Sequence, residues 1–447
     1  MQYTLFDFDS PNFSKWYLFK NTTVLGKIHQ TIDWDSLEKL LPHRTTIVGA
    51  PSWLPSRGLF ALMFLKHYTG LSDEKLLEQF HTNWAIQMFC GTLLADNERI
   101  KDNAFVSRVR SYLGEHLDLN LFQSVMVNSW KSEIPDKSVL LMDATCYEVY
   151  LRIPTDVKLL WESCTWLWEK QIPALCTSNK IKLPRSKYKD QKIKQLTYSK
   201  LRKKIHRKTY SRKRSLLKLL NKGILTLSEL LEKVKSKGFL EKDIQIFQTI
   251  KVVYQQQKQL FEIPESKISD RIVSIYKPYI RPIVRGKENK PVEYGIKVHI
   301  NQVGGVNIIE HASYNAFNEC KRLKESVIRH ETMIGKCTHV AADGIYPTNE
   351  NRTFLREQMI QHNFCRKGRG KDDKATKQMK GILNKERSTR LEGSFGTEKE
   401  HYLLRKIKAR NQKTELVWLF FGVYTANAVR VTNRRQENRQ QVQKIAT

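Results

Sequence analysis

At 447 residues the chain is long enough for two or three domains and a sizeable core. Its 40% hydrophobic content and nine Trp mark a folded protein and argue against a disordered one. Seventy-seven Lys and Arg against 45 Asp and Glu leave a formal charge of +32, an excess that points to a polyanionic partner, nucleic acid first. The seven Cys are scattered without a C-x-x-C pair, which argues against a zinc ribbon or a disulfide framework and fits a reducing cytoplasm. The opening "MQYTLFDFDSPNFSKWYLFK" carries acids and lacks the apolar centre of a signal peptide. No apolar run reaches the roughly 20 residues of a membrane span; the closest, "ELVWLFFGVYTANAV", reads as a core helix.

Residues 1–132 read as a helical domain. "LFALMFLKHYTG" is apolar nearly all round and stops at Gly70, as a buried helix would. Ser72 then fits an N-cap, with Asp73 and Glu74 in the first turn and Leu76, Leu77 and Phe80 on one face. Further on, "NAFVSRVRSYLGEHL" carries Arg108 and Arg110, candidates for DNA contact, on a short amphipathic helix. This domain suits DNA binding, or else dimerisation or plain packing.

The pattern changes at Lys137. "SVLLMDA" predicts a buried strand delivering Asp143 at its C-terminal end. Residues 133–170 then read as the first part of an α/β core, and 171–285 as a basic helical insertion. Within it, Lys203, Lys204, Arg207, Lys208, Arg212, Lys213 and Arg214 are interleaved with Tyr and His, a pattern suited to gripping phosphates and stacking on bases. Ser228 is expected to cap a later helix that Gly238 stops. Residues 286–432 read as the second part of the core. They hold two alternating runs around Gly304–Gly305, a hairpin signature, then a helix over 315–330. "THVAADGIY" predicts a second apolar strand running into Asp343. Glu392 opens the helix "RLEGSFGTEKEHYLLRKIKAR", which also carries Arg390 and Arg405 as candidate DNA contacts. The tail 433–447 reads as basic and frayed.

Two strand-borne Asp and a helix-borne Glu suit hard divalent cations. Mg²⁺ is held by a few carboxylates together with substrate phosphate oxygens. Two such ions roughly 3.5–4 Å apart can serve the attacking and leaving oxygens of an in-line displacement. Asp143, Asp343 and Glu392 are therefore the candidate metal ligands, each weak when taken alone. An Asp closing a strand is commonly a turn former, and a Glu in a first helical turn commonly answers the helix dipole.

"LLMDAT" and "THVAADGIYPTNENRTFL" resemble the first- and second-aspartate regions of bacterial insertion-sequence transposases of the DDE class. Glu392, six intervening residues and Lys399 are similar to their E-x6-K signature. The N-terminal stretch from Gly49 to Gly91 resembles the helical domain of the insertion sequence 5 / 1182 type. The resemblance implies an RNase H-like core with a mixed sheet and Mg²⁺-dependent cleavage at the element's ends. It also implies transfer of a 3′-hydroxyl into double-stranded target DNA by a homodimer, with two ions and Mn²⁺ able to substitute. Lys399, about 10 Å along the same helix face from Glu392, would hold a neighbouring phosphate. Many relatives carry an Arg four residues before the Glu; here that position is Ser388, with Arg387 and Arg390 in other registers. Glu398 and Asp156 are the rival acids. A catalytically inactive DNA-binding relative and an RNase H-fold nuclease without strand transfer remain the competing readings.

Overall fold

The computed structural model describes residues 13–42, 54–95, 97–234, 239–285 and 291–446. The chain divides into two compact units, residues 1–150 with 295–447, and residues 151–294. Residues 1–132, 133–150 and 295–432 fall in the first unit, while 171–285 falls in the second together with 151–170 and 286–294. The expected stop at Gly238 and the residues from Gly49 to Trp53 lie outside the described residues.

The first unit opens with α1 (Phe13–Thr22), α2 (Val24–His29), α3 (Trp34–Glu38), α4 (Ser56–Thr69) and α5 (Asp73–Thr82). Next come α6 (Trp84–Phe89), α7 (Phe105–His116) and α8 (Leu119–Ser129). α4 ends as expected at Gly70, whose φ of +67° suits a residue without a Cβ. Ser72 caps α5 by accepting from the Lys75 amide at 3.1 Å.

Five strands form the body of the sheet: β1 (Val139–Val149), β3 (Val292–Val303), β4 (Val306–Ser313), β5 (His339–Ala341) and β6 (Gln361–His362). β3 lies antiparallel to β1 on one side and to β4 on the other, while β5 runs parallel to β1 and β6 parallel to β5. Both residues of the β3–β4 turn, Gly304 and Gly305, have positive φ, as a two-residue hairpin loop requires. β2 (Pro282–Val284) pairs with the start of β3, and β7 (Lys406–Ile407) with the end of β1.

The second unit holds α9 (Asp156–Thr165), α10 (Ile172–Ser178), α11 (Tyr188–Lys200), α12 (His206–Lys233) and α13 (Glu241–Glu262). They enclose a core of their own that includes Trp166, Leu167, Leu216, Leu220, Leu227 and Phe247. Ser228, expected as a cap, lies inside α12: the apolar positions Leu216, Leu220, Leu227 and Leu230 keep one buried stripe running past it.

The first unit closes with α14 (Leu323–Met333), α15 (Asn349–Glu357), α16 (Lys374–Glu386), α17 (Glu392–His401) and α18 (Gln412–Ala446). α18 carries the apolar segment foreseen as a core helix. Its Phe421 meets Phe60 and Phe64 of α4 and Phe122 of α8 at ring-centroid distances of 6.3, 5.1 and 4.8 Å. The N-terminal helices and the sheet-bearing segments therefore share one aromatic core. The chain after Arg430 stays helical rather than fraying. Arg430 and Arg434 donate to the Gly305 and Gly304 carbonyls, and Arg435 pairs with Glu133, which anchors the helix to the hairpin turn. No helix among the described residues is long and apolar enough to cross a membrane.

Candidate active site

Asp143 sits in the middle of β1, not at its end: the strand runs on through Val149. On one side Asp143 faces Ile300 of β3. On the other, β1 and β5 pair as Val139 with His339 and Leu141 with Ala341, and continuing that register sets Asp143 beside Asp343. Asp343 lies two residues past the end of β5. Neighbouring parallel strands thus present the two acids side by side.

Glu392 arrives from a helix that does not begin there. α16 and α17 are joined without a break by a turn of π-helix over Arg387–Leu391, in which the Glu392 amide donates to the Arg387 carbonyl. Each π-turn holds one residue more than an α-turn. Residues five apart across it therefore share a face, as residues four apart do in an α-helix. Arg387 stands five residues before Glu392, and its Nη1 lies 2.9 Å from Glu392 Oε1. Ser388 stands four residues upstream of Glu392, and the π-turn brings Arg387, one position earlier, onto the face of Glu392. The helix dipole also gives no account of Glu392, because no helix starts at it.

All three acids meet on that guanidinium. Arg387 Nη1 lies 2.9 Å from Asp143 Oδ2, and Nη2 lies 3.5 Å from Asp343 Oδ1. The side chains of Asp143 and Arg387 are each only 15% exposed, whereas Asp343 and Glu392 are 57% and 49% exposed. Burial pushes the Asp143 carboxyl up to about 6, against the opposing pull of the Ala144 amide and of Arg387. Lys399, one helix face along from Glu392, donates to Thr145 Oγ1 at 2.8 Å and stands 5.5 Å from the centre of the Tyr147 ring. Asp143, Thr145 and Tyr147 alternate onto one face of β1, so strand period and helix period coincide along this seam.

The donor set suits a hard divalent cation, since three carboxylate side chains from three elements gather around one positive centre. Their present spacing is that of a guanidinium's partners: among the described residues no three His, Cys, Asp or Glu are drawn together as a metal's ligands would be.

The rival acids have other work. Glu398 is buried, accepts from the Tyr147 hydroxyl and from Asn307 Nδ2 at 2.6 Å, and burial raises its carboxyl above the usual range. Asp156, in the second unit, pairs with Lys213 at 2.5 Å and Arg271 at 2.6 Å.

The expected DNA contacts divide. Lys203, Lys204, Arg207, Lys208 and Arg214 are exposed on α12 and its approach, and Arg108, Arg390 and Arg405 are exposed on the first unit. Three of the exposed arginines also pair with acids: Arg108 with Asp102, Arg390 with Glu386 and Arg405 with Glu400. Arg110 and Arg212 are buried, which removes both from any surface. Arg110 pairs with Asp73 at 3.0 Å and lies 4.7 Å from the Trp418 ring centre. Arg212 donates to Gln195 Oε1 at 2.8 Å and to Gln191 Oε1 at 2.5 Å. Lys213 is held by Asp156. Arg110 and Arg212 face inward because their helices turn those positions to the core, whereas Lys213 is only half-buried.

Residues 16–112 match a family described as Transposase domain (DUF772). The match supports a transposase family for this chain. No curated protein and no solved structure matches it. The matched residues run from within α1 to within α7 and include Phe60 and Phe64 of the aromatic core. The acid cluster lies outside the matched residues. A transposase family implies DNA as partner, and the strong positive charge agrees with it.

Proposed function

We propose that the chain is a DDE transposase of the insertion sequence 5 / 1182 type. On this reading it cuts DNA at the ends of its element and joins the freed 3′-hydroxyl to target DNA. The observation that carries the reading is the convergence of Asp143, Asp343 and Glu392 on one cationic centre, with Lys399 beside them on a strongly basic chain. The mixed antiparallel and parallel sheet, with acids on adjacent strands and the third on a later helix, supports an RNase H-like core. Asp143, Asp343 and Glu392 would hold Mg²⁺, two ions in the working complex, with Mn²⁺ able to replace it. When bound, Mg²⁺ supplies charge stabilisation at the scissile phosphate and lowers the pKa of an attacking water.

The protein's own groups position the reaction. Asp143, fixed on a central strand and largely desolvated, sets the inner wall of the site. Asp343 and Glu392, half exposed, face the approaching strand. Lys399, steadied by Thr145, holds a phosphate next to the scissile one. In cleavage a water oxygen attacks phosphorus, the P–O3′ bond breaks and the 3′ oxygen leaves as a hydroxyl. In joining, that 3′-hydroxyl oxygen attacks a target phosphate and the target's own 3′ oxygen departs with a proton. Two element ends must be held together, which favours a homodimer on DNA.

A second reading has its own observation. Arg387 pairs with every one of the acids, which favours a DNA-binding protein that does not cut. Cleavage and strand-transfer assays on the element's ends with Mg²⁺ or Mn²⁺, comparing wild type with Glu392→Gln, separate the two. The transposase reading expects wild type to cut and join, and the variant to bind DNA but do neither. Tight DNA binding by a wild type that neither nicks nor joins would establish the second reading.

A further inference from the structure

A cleft of about 560 Å³ lies along a neighbouring face of the helix that carries Glu392. Its walls are the Gly304–Gly305 turn, the face of the π-turn and α17 bearing Thr389, Arg390, Gly393 and Thr397, and Arg430 and Arg434 of α18. A second hollow of about 330 Å³ continues it, sharing Ser394, Thr397, Arg430 and Arg434.

Three guanidinium groups are gathered here; Arg390 is paired with Glu386, and the buried Glu398 acts on Arg430 through its charge. Arg434 donates to the Gly304 and Glu133 carbonyls at 2.7 and 2.8 Å, and Arg430 to the Gly305 carbonyl. Carbonyls orient these groups without cancelling their charge. Two carboxylates reach the hollow's lining. Glu398 is turned inward onto Tyr147 and Asn307, and Glu437 lies on the exposed side of α18. Arg390 has the partner Glu386 at 2.7 Å, on the solvent side. Burial and the mutual repulsion of these cations pull Arg434 below the usual arginine range.

The floor of the cleft is a stripe of small residues spaced four apart, Thr389, Gly393 and Thr397. A Cβ placed on Gly393 would meet nothing within 4 Å, so the protein's own packing does not require glycine there. Glycine in a helix interior costs about 1 kcal/mol relative to alanine. Gly381 and Gly396 of the same helix are equally open, and Gly393 is the one of the three that lines the cleft, where its missing side chain keeps the floor low. Guanidinium forks in fixed orientation match phosphate oxygens, and the cleft has room for a strand backbone rather than a single ion. Arg390 and Gly393 lie within two residues of Glu392, so the cleft and the acid cluster adjoin across one helix.

We propose that this cleft, lined by Arg390, Arg430, Arg434 and the Thr389–Gly393–Thr397 stripe, binds the phosphodiester backbone of the DNA strand that leads into the acid cluster. The proposal rests on the transposase reading for its ligand. It adds a backbone site on a neighbouring face of the helix, beside the Asp143, Asp343 and Glu392 cluster.

The test is duplex DNA binding by the full chain, followed by fluorescence anisotropy across a salt series. Thr397→Glu puts an anion into the cleft at an exposed helix position and leaves the anchoring arginines in place. Thr397→Gln is its neutral control, and Thr82→Glu, on an exposed face away from the cleft, its charge-matched control. Thr397→Glu should weaken binding about tenfold and lower the slope of log affinity against log salt by about 1 or more, with both controls near wild type. Equal affinity and slope for Thr397→Glu and wild type would overturn the cleft proposal and leave the transposase reading standing. A wild type that binds no DNA would overturn both. Calorimetric titration with inorganic phosphate and with a mononucleotide distinguishes the source. Saturable binding of either, as tight as duplex and lost in Thr397→Glu, would overturn a nucleic-acid backbone as the ligand.

Discussion

Arg387→Gln is the most informative single change in the acid cluster. In the metal-free protein a divalent cation must displace three guanidinium contacts before it can be held. The contact with Asp143 joins two side chains that are each 15% exposed at 2.9 Å, and a charge-assisted bond of that kind is worth about 1.5–3 kcal/mol. The contacts with the half-exposed Asp343 and Glu392 add about 0–1 kcal/mol each. Their sum is about 1.5–5 kcal/mol, and every 1.4 kcal/mol is tenfold in affinity. Part of this gain is offset, because Asp143 without its partner holds a proton more often and the metal must displace that too. Arg387→Gln should therefore bind Mn²⁺ about 10- to 100-fold more tightly than wild type in the absence of DNA. Titration of the full chain, with free Mn²⁺ followed by electron paramagnetic resonance, measures this directly. Unchanged or weaker binding by Arg387→Gln would refute the argument: Arg387 would then support the metal-loaded arrangement or have no bearing on it.

Two predictions concern the core. His29 and His67 are each pulled down to about 3, first of all by burial. Both are neutral when folded and protonate near 6.5 when unfolded, so the stability they contribute is full above that value and falls as pH drops toward 3. At pH 5 each costs about 2 kcal/mol. Thermal melts at pH 8 and pH 5 should show the loss, and His29→Phe, within its cage of Trp16, Phe19, Trp34 and Phe89, should remove about half of it; an unchanged pH dependence would argue against the buried neutral ring. Arg110→Ala should cost about 2–4 kcal/mol in denaturant melts, because it breaks a buried pair, while Lys66 remains to hold Asp73. It should leave the salt slope of DNA binding unchanged; a reduced slope would return Arg110 to the surface.

Local chemistry made several elements legible from sequence. Gly70 and Ser72 mark a helix end and the next start through their own backbone preferences, and Gly304–Gly305 marks the hairpin for the same reason. The acids at Asp143, Asp343 and Glu392 were readable because each lies in a patterned element, and their meeting on one guanidinium is long-range pairing that no local pattern carries. The apolar pattern marks where the strand carrying Asp143 begins but not how far it runs, since "TCYEV" breaks the apolar run while β3 still pairs with it.

What the amino-acid sequence by itself determined is the chemistry available: a strongly basic chain, three carboxylates, and a Lys seven residues beyond the last of them. Tertiary structure alone decided which charges face outward, because helix phase turns Arg110 and Arg212 to the core and leaves Arg207 and Lys208 outside. It also decided the role of Arg387. One extra residue before Glu392 breaks the expected spacing on paper, and a single π-turn takes up that residue and returns the guanidinium to the acids. Register along a helix depends on how the backbone hydrogen bonds close, and here the Glu392 amide closes onto the Arg387 carbonyl.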